Sequence, residues 1–98
     1  MTISTEKNNG SVILKIEGRL DTTTAPLLEN TVNELSAETK HLILDMHGVE
    51  YISSAGLRVL LGAQKKMNKI GNMKLIGVCD AVMEILEMTG FVDILMIE

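Results

Sequence analysis

Along the chain, apolar and polar positions change period several times, and each change marks an element. In Ser11 to Glu17, Val12, Leu14 and Ile16 share one face while Lys15 and Glu17 take the other, the alternation of a strand. Asn8-Asn9-Gly10 before it reads as a hairpin turn to a short strand near Ile3 to Glu6. After Gly18, Asp21 to Thr24 supply helix caps, and Pro26 sits early enough that its missing N–H costs little. Leu28, Val32 and Leu35 then recur at helical spacing, with Glu29, Asn33, Glu34 and Glu38 outside, predicting a helix over residues 25 to 38.

His41 to Met46 is a short, nearly continuous apolar run, the pattern of a strand buried on both faces at the centre of a sheet. Residues 55 to 70 carry Leu57, Leu60, Leu61, Gln64 and Met67 at steps of three and four, and Gly71-Asn72 closes that second helix. Lys74 to Cys79 predicts another strand. Asp80 is the expected cap of a third helix that packs Val82, Met83, Leu86 and Met88 inward and stops at Thr89-Gly90. Val92 to Ile97 reads as a last strand. The order β-β-α-β-α-β-α-β predicts an α/β fold: an N-terminal hairpin, a mixed and mostly parallel sheet, and three to four packed helices.

At 98 residues with one proline and no repeat, the chain is expected to form one domain over residues 1 to 98. Aromatics are 2% of the sequence and the net charge is −4, which argues against a nucleic acid partner. The longest apolar runs are too short for a membrane span, so a cytoplasmic protein without membrane insertion is expected. Cys79 is the only cysteine, and His41 and His47 are six residues apart, so neither a disulfide nor a metal site is expected. His47 is read as a loop residue and His41 as a strand-edge residue. No hydrolase motif or glycine-rich phosphate loop is present, and no catalytic residue or cofactor is assigned.

Where a strand hands over to the second helix stand Tyr51-Ile52-Ser53-Ser54-Ala55-Gly56-Leu57. A serine here can cap the helix, and the free N–H groups of the first turn also favour a phosphate added to it. Gly56, lacking a side chain, would let a partner approach the backbone. Residues 57 to 74 hold Arg58, Lys65, Lys66, Lys69 and Lys74 with no acid, whereas 80 to 98 hold Asp80, Glu84, Glu87, Asp93 and Glu98 with no base. That split either steers a complementary protein or lines ordinary solvated helix faces. Gly62 inside the second helix signals close packing within the fold or contact from outside, with packing the expectation. The seven methionines are expected mostly in the core.

Gly18-Arg19-Leu20-Asp21, the Leu42 to Asp45 strand, Tyr51 to Leu61, Gly77-Val78 and Leu86 to Phe91 together resemble the STAS superfamily, most closely its stand-alone bacterial anti-sigma factor antagonists. The resemblance runs over nearly the whole chain. It implies a monomeric adaptor that binds an anti-sigma factor, itself a serine kinase, and so frees a sigma factor. The kinase switches such an antagonist off by phosphorylating the first serine of an Asp-Ser-Ser/Thr-Gly-Leu motif, and a serine phosphatase restores it. Carried over, the phosphorylated residue is Ser54, followed by Ala55 and Gly56, while the motif's aspartate is replaced by Ser53. The partner surface implied by the resemblance comprises Asp21, Thr22, Ser53, Ser54, Ala55, Gly56, Leu57 and Arg58. The same family also includes accessory subunits of lipid-transporting ATPase complexes, the alternative reading; a small-ligand sensor is a third.

Overall fold

The computed structural model describes residues 1–98. It opens with β1 (Thr2–Asn8) and β2 (Ser11–Leu20), an antiparallel hairpin whose Asn8↔Ser11 pair closes on Asn9 and Gly10 at φ 48° and 87°. Positive φ at both central residues matches the right-handed twist of the strands, which is why Asn-Gly turns here. There follow α1 (Ala25–Asn33), β3 (His41–Ile52), α2 (Ser54–Ile70), β4 (Asn72–Ile76) and α3 (Asp80–Met88). The sheet order is β1-β2-β3-β4, with β2, β3 and β4 parallel, so β2 and β3 are the interior strands.

Val12, Leu14 and Ile16 of β2, Leu42, Leu44 and Met46 of β3, and Met73 and Leu75 of β4 point to one face and are buried. Against them lie Leu28 and Val32 of α1, Leu60, Ala63 and Met67 of α2, and Val82 and Leu86 of α3. The opposite face is not covered by a helix. Ile13, Ile43 and Asp45 there are only half-buried and Lys15 is exposed, so β3 is buried on one face and not, as expected, on both.

The largest difference from expectation is the length of β3, which continues six residues past Met46. Its core positions run Leu42, Leu44, Met46 and then Val49 and Ile52, a step of two that becomes three. The pairing with β2 explains this: Lys15 faces Asp45 but Glu17 faces Gly48, and Gly18 faces Val49 but Arg19 faces Tyr51. Each shift inserts an extra residue on β3, a bulge that breaks alternation without ending the strand. His47 therefore lies in the strand and not in a loop.

Other ends also moved. The first helix stops at Asn33 and not at residue 38; Leu35 N–H turns back to the Val32 carbonyl at 3.1 Å, and Lys66 Nζ takes the Val32 and Leu35 carbonyls at 2.8 and 3.1 Å. A lysine from another helix thus satisfies carbonyls that more helix would have used. β4 ends at Ile76 and not at Cys79, because the chain turns at Gly77 with φ 69°. Cys79, not Asp80, is the cap residue of α3, and Asp80 sits in the first turn, where its charge favours the helix dipole. Met83 is half-buried and Met88 is 79% exposed, so neither packs inward as expected. In place of a last strand there is a short 3-10 turn, Phe91–Asp93, and a single parallel bridge from Leu75 to Ile97.

Candidate functional site

The loop ending β2 and the start of α2 meet at one end of the sheet. Ser53 N–H donates to the Leu20 carbonyl at 2.9 Å, tying the Asp21 loop to the serine pair. Within that loop Asp21 Oδ1 accepts from the N–H groups of Thr23 and Thr24 at 3.0 and 3.1 Å, and the Asp21 carbonyl accepts from Ala25 N–H at 2.7 Å. Thr24 Oγ1 donates to the Arg19 carbonyl at 2.6 Å and accepts from Asp21 N–H at 2.9 Å. Thr24 holds the cap position of α1 by backbone, but the carboxylate of Asp21 receives the free N–H groups ahead of it. The Thr24 N–H holds the Asp21 carboxyl below its ordinary value, assisted by the Thr24 hydroxyl, the Thr23 N–H and Arg19. Arg19 lies 3.6 Å from Asp21 Oδ2 and stacks over Tyr51 at 4.2 Å from the ring centre, so one side chain braces both loop and strand.

The two serines divide their duties. Ser53 has extended backbone and is the cap of α2, its Oγ accepting from Gly56 N–H at 3.3 Å. Ser54 is the first residue of the helix and exposed, and its hydroxyl makes no hydrogen bond within the chain. The cap expected of this serine pair therefore belongs to Ser53, and Ser54 is free of structural work. No acidic residue stands in the first turn of α2.

Gly56 does not open the backbone to a partner. It is buried, and a Cβ there would lie 2.8 Å from both Ile52 Cγ1 and Leu20 Cγ, so the missing side chain lets the helix start sit on the sheet. Leu57 is buried as well, at 7% exposure. Of the eight residues expected at the surface, Gly56 and Leu57 lie beneath it and shape it. Thr22, Ala55 and Arg58 line a shallow depression of about 190 Å³ with Ala25, Pro26, Glu29 and Val59, beside Ser54.

Gly62 is the other surprise. It is exposed, and a Cβ built on it meets nothing within 4 Å, so the packing expected of it is absent. A glycine there costs the helix about 1 kcal/mol relative to alanine with no return inside the molecule. The histidines take no part in this site. His41 Nδ1 is 2.9 Å from Asn72 Oδ1, and His47 Nδ1 is 2.6 Å from Asp45 Oδ1, its ring lying against Gly77. The His47 ring, then its N–H, hold the Asp45 carboxyl below its ordinary value. The Asp45–His47 pair goes unforeseen with His47 read as a loop residue; with β3 running on past Met46, the two stand two positions apart in one strand and share its open face.

An anti-sigma-F factor antagonist of Mycobacterium tuberculosis is 31% identical over 70 residues, covering 70% of this chain and 57% of that relative. The anti-sigma F factor antagonist of Paenibacillus polymyxa is 29% identical over 97% of this chain and 84% of its own. The crystal structure of an anti-sigma factor antagonist from Mycobacterium paratuberculosis superposes with a TM-score of 0.87 at 25% identity, covering 98% of this chain and 83% of that one. The model of the STAS domain matches residues 2–98, and the mixed four-stranded sheet with its helices on one face agrees with it; the chain belongs to the STAS-domain family.

Proposed function

We propose that this chain is an anti-sigma factor antagonist: in the cytoplasm it binds an anti-sigma factor that is also a serine kinase, and phosphorylation of Ser54 releases that partner until a serine phosphatase restores binding. The observation that carries this reading is the free, exposed Ser54 hydroxyl beside a capped helix start, in a chain whose relatives carry the antagonist name. A phosphate adds close to two negative charges to the surface made by Thr22, Ala55 and Arg58, which changes the desolvation and charge match of any contact there. Ser53 in the position of the family's aspartate still performs the cap, so the serine is presented without that acid.

The test is incubation with the cognate kinase and ATP, followed by mass spectrometry and a binding titration. One phosphate at Ser54 is expected, with Ser54→Asp binding the anti-sigma factor at least about tenfold more weakly and Ser54→Ala binding as the unmodified chain does. Absence of the phosphate together with undiminished binding by Ser54→Asp would sink the switch.

A further inference from the structure

Five cations crowd residues 57 to 74, but the fold sorts them. Lys74 Nζ is paired with Glu98 at 2.7 Å, and Lys66 Nζ is engaged on the carbonyls that end α1. Arg58, Lys65 and Lys69 remain, all exposed and with no hydrogen bond or ion pair within the chain. Ser54, Arg58, Gly62, Lys65 and Lys69 follow one another at steps of four, four, three and four, so they form one face of α2. That face runs about 22 Å along the helix at 1.5 Å per residue and carries no acid. In its middle is Gly62, the glycine that nothing inside the fold requires, next to a small depression of about 80 Å³ lined with Val32, Val59, Ala63, Glu29 and Asn33.

The geometry points to this face of α2 as a docking surface for an acidic, elongated element of the anti-sigma factor, laid along the helix and approaching closest at Gly62. The inference rests on the antagonist reading above and extends it from Ser54 to the next four turns. Charge complementarity names the occupant: three unpaired cations in line favour carboxylates at matching helical spacing. The absent side chain at Gly62 gives that element close approach to the helix backbone, with Val59 and Ala63 as apolar contacts beside it. A protein is favoured over nucleic acid or lipid because the chain as a whole carries −4 and the facing wall contributes Glu29.

The surface is tested by titrating the full chain and its variants with the purified anti-sigma factor from the same genome. Gly62→Leu and the double variant Lys65→Glu with Lys69→Glu should each weaken binding about tenfold or more, the charge variant also losing much of its salt dependence. Gly62→Ala should raise Tm by roughly 4–8 °C, because the new methyl meets open space and the helix gains propensity. A fall in Tm for Gly62→Ala would show that the fold needs this glycine and would overturn the argument, with or without a partner. Wild-type binding by Gly62→Leu and the charge variant, while Ser54→Asp weakens it, removes the docking face and leaves the switch standing; the converse removes the switch alone. Capture of the stripe by phosphatidylserine vesicles or duplex DNA, with the charge variant still binding the anti-sigma factor normally, also overturns it.

Discussion

Asp21 shows how much one side chain organises at this site. Its carboxylate gathers the N–H groups of Thr23 and Thr24 and lies 3.6 Å from Arg19. Its pKa is lowered in the fold, chiefly by the Thr24 N–H, so the native state favours the ionised form. The linkage has a definite sign. The stabilisation is complete above the ordinary carboxylate value of 3.8 and disappears as pH falls through the lower folded value. Asp21→Asn should therefore melt below wild type at neutral pH, and the gap should narrow as pH falls below 3.8 and wild type takes up the proton. A gap that persists unchanged in acid would assign the loss to geometry and not to charge. The neighbouring serines separate in the same way. Ser53→Ala should cost about 0.5–2 kcal/mol as a lost cap, whereas Ser54→Ala should stay within about 0.5 kcal/mol, measured by urea unfolding. Sequence placed a cap somewhere in this serine pair, but which hydroxyl reaches back to Gly56 depends on where the helix begins, and residue preference does not resolve one position.

At the scale of elements, legibility followed regularity. The hairpin at Asn9-Gly10 and the apolar stripe of α2 were readable because each keeps its period, and a period reports which face is buried, whereas the unbroken apolar run from His41 disclosed a strand but not that only one of its faces is covered. What was not readable is where a neighbour, and not the segment itself, decides. β3 runs on through two bulges set by its register with β2, and the final segment touches the β4 edge only through the Leu75–Ile97 bridge, its preceding residues being taken up by a 3-10 turn. Glycines divide along the same line. Gly62 was expected to pack and faces open space, while Gly71 ends α2 against Lys40, where a Cβ would run into the Lys40 carbonyl. That contact is backbone to backbone, since Asn72 N–H also donates to the Lys40 carbonyl at 2.8 Å and holds the β3–β4 edge in place. Gly71→Ala should accordingly cost about 2 kcal/mol or more by urea unfolding, an overpacking that no rotamer relieves. A neutral result would mean the α2–β4 connection has room to shift.

For the whole molecule the governing fact is that one sheet carries two unlike faces. Leu42, Leu44 and Met46 are closed under three helices, while Ile13, Ile43 and Asp45 on the reverse keep partial contact with solvent. The core is consequently a single layer between sheet and helices, and every helix that presents the Ser54 end of the molecule is seated on it. Removing side-chain volume from that layer should be felt at the site, and removing it from the reverse should not. Leu44→Ala, at a position with 0% exposure, should lose about 2–5 kcal/mol, a drop in Tm of roughly 10 °C or more for a chain of this size. Ile43→Ala, one residue away on the open face, already has water beside it and leaves no sealed cavity, so its loss should be under about half as large. Thermal melts of the two variants measure the contrast. Equal losses would show that the reverse face is as tightly closed as the helix side, and the one-layer architecture that positions Ser54 would have to be redrawn.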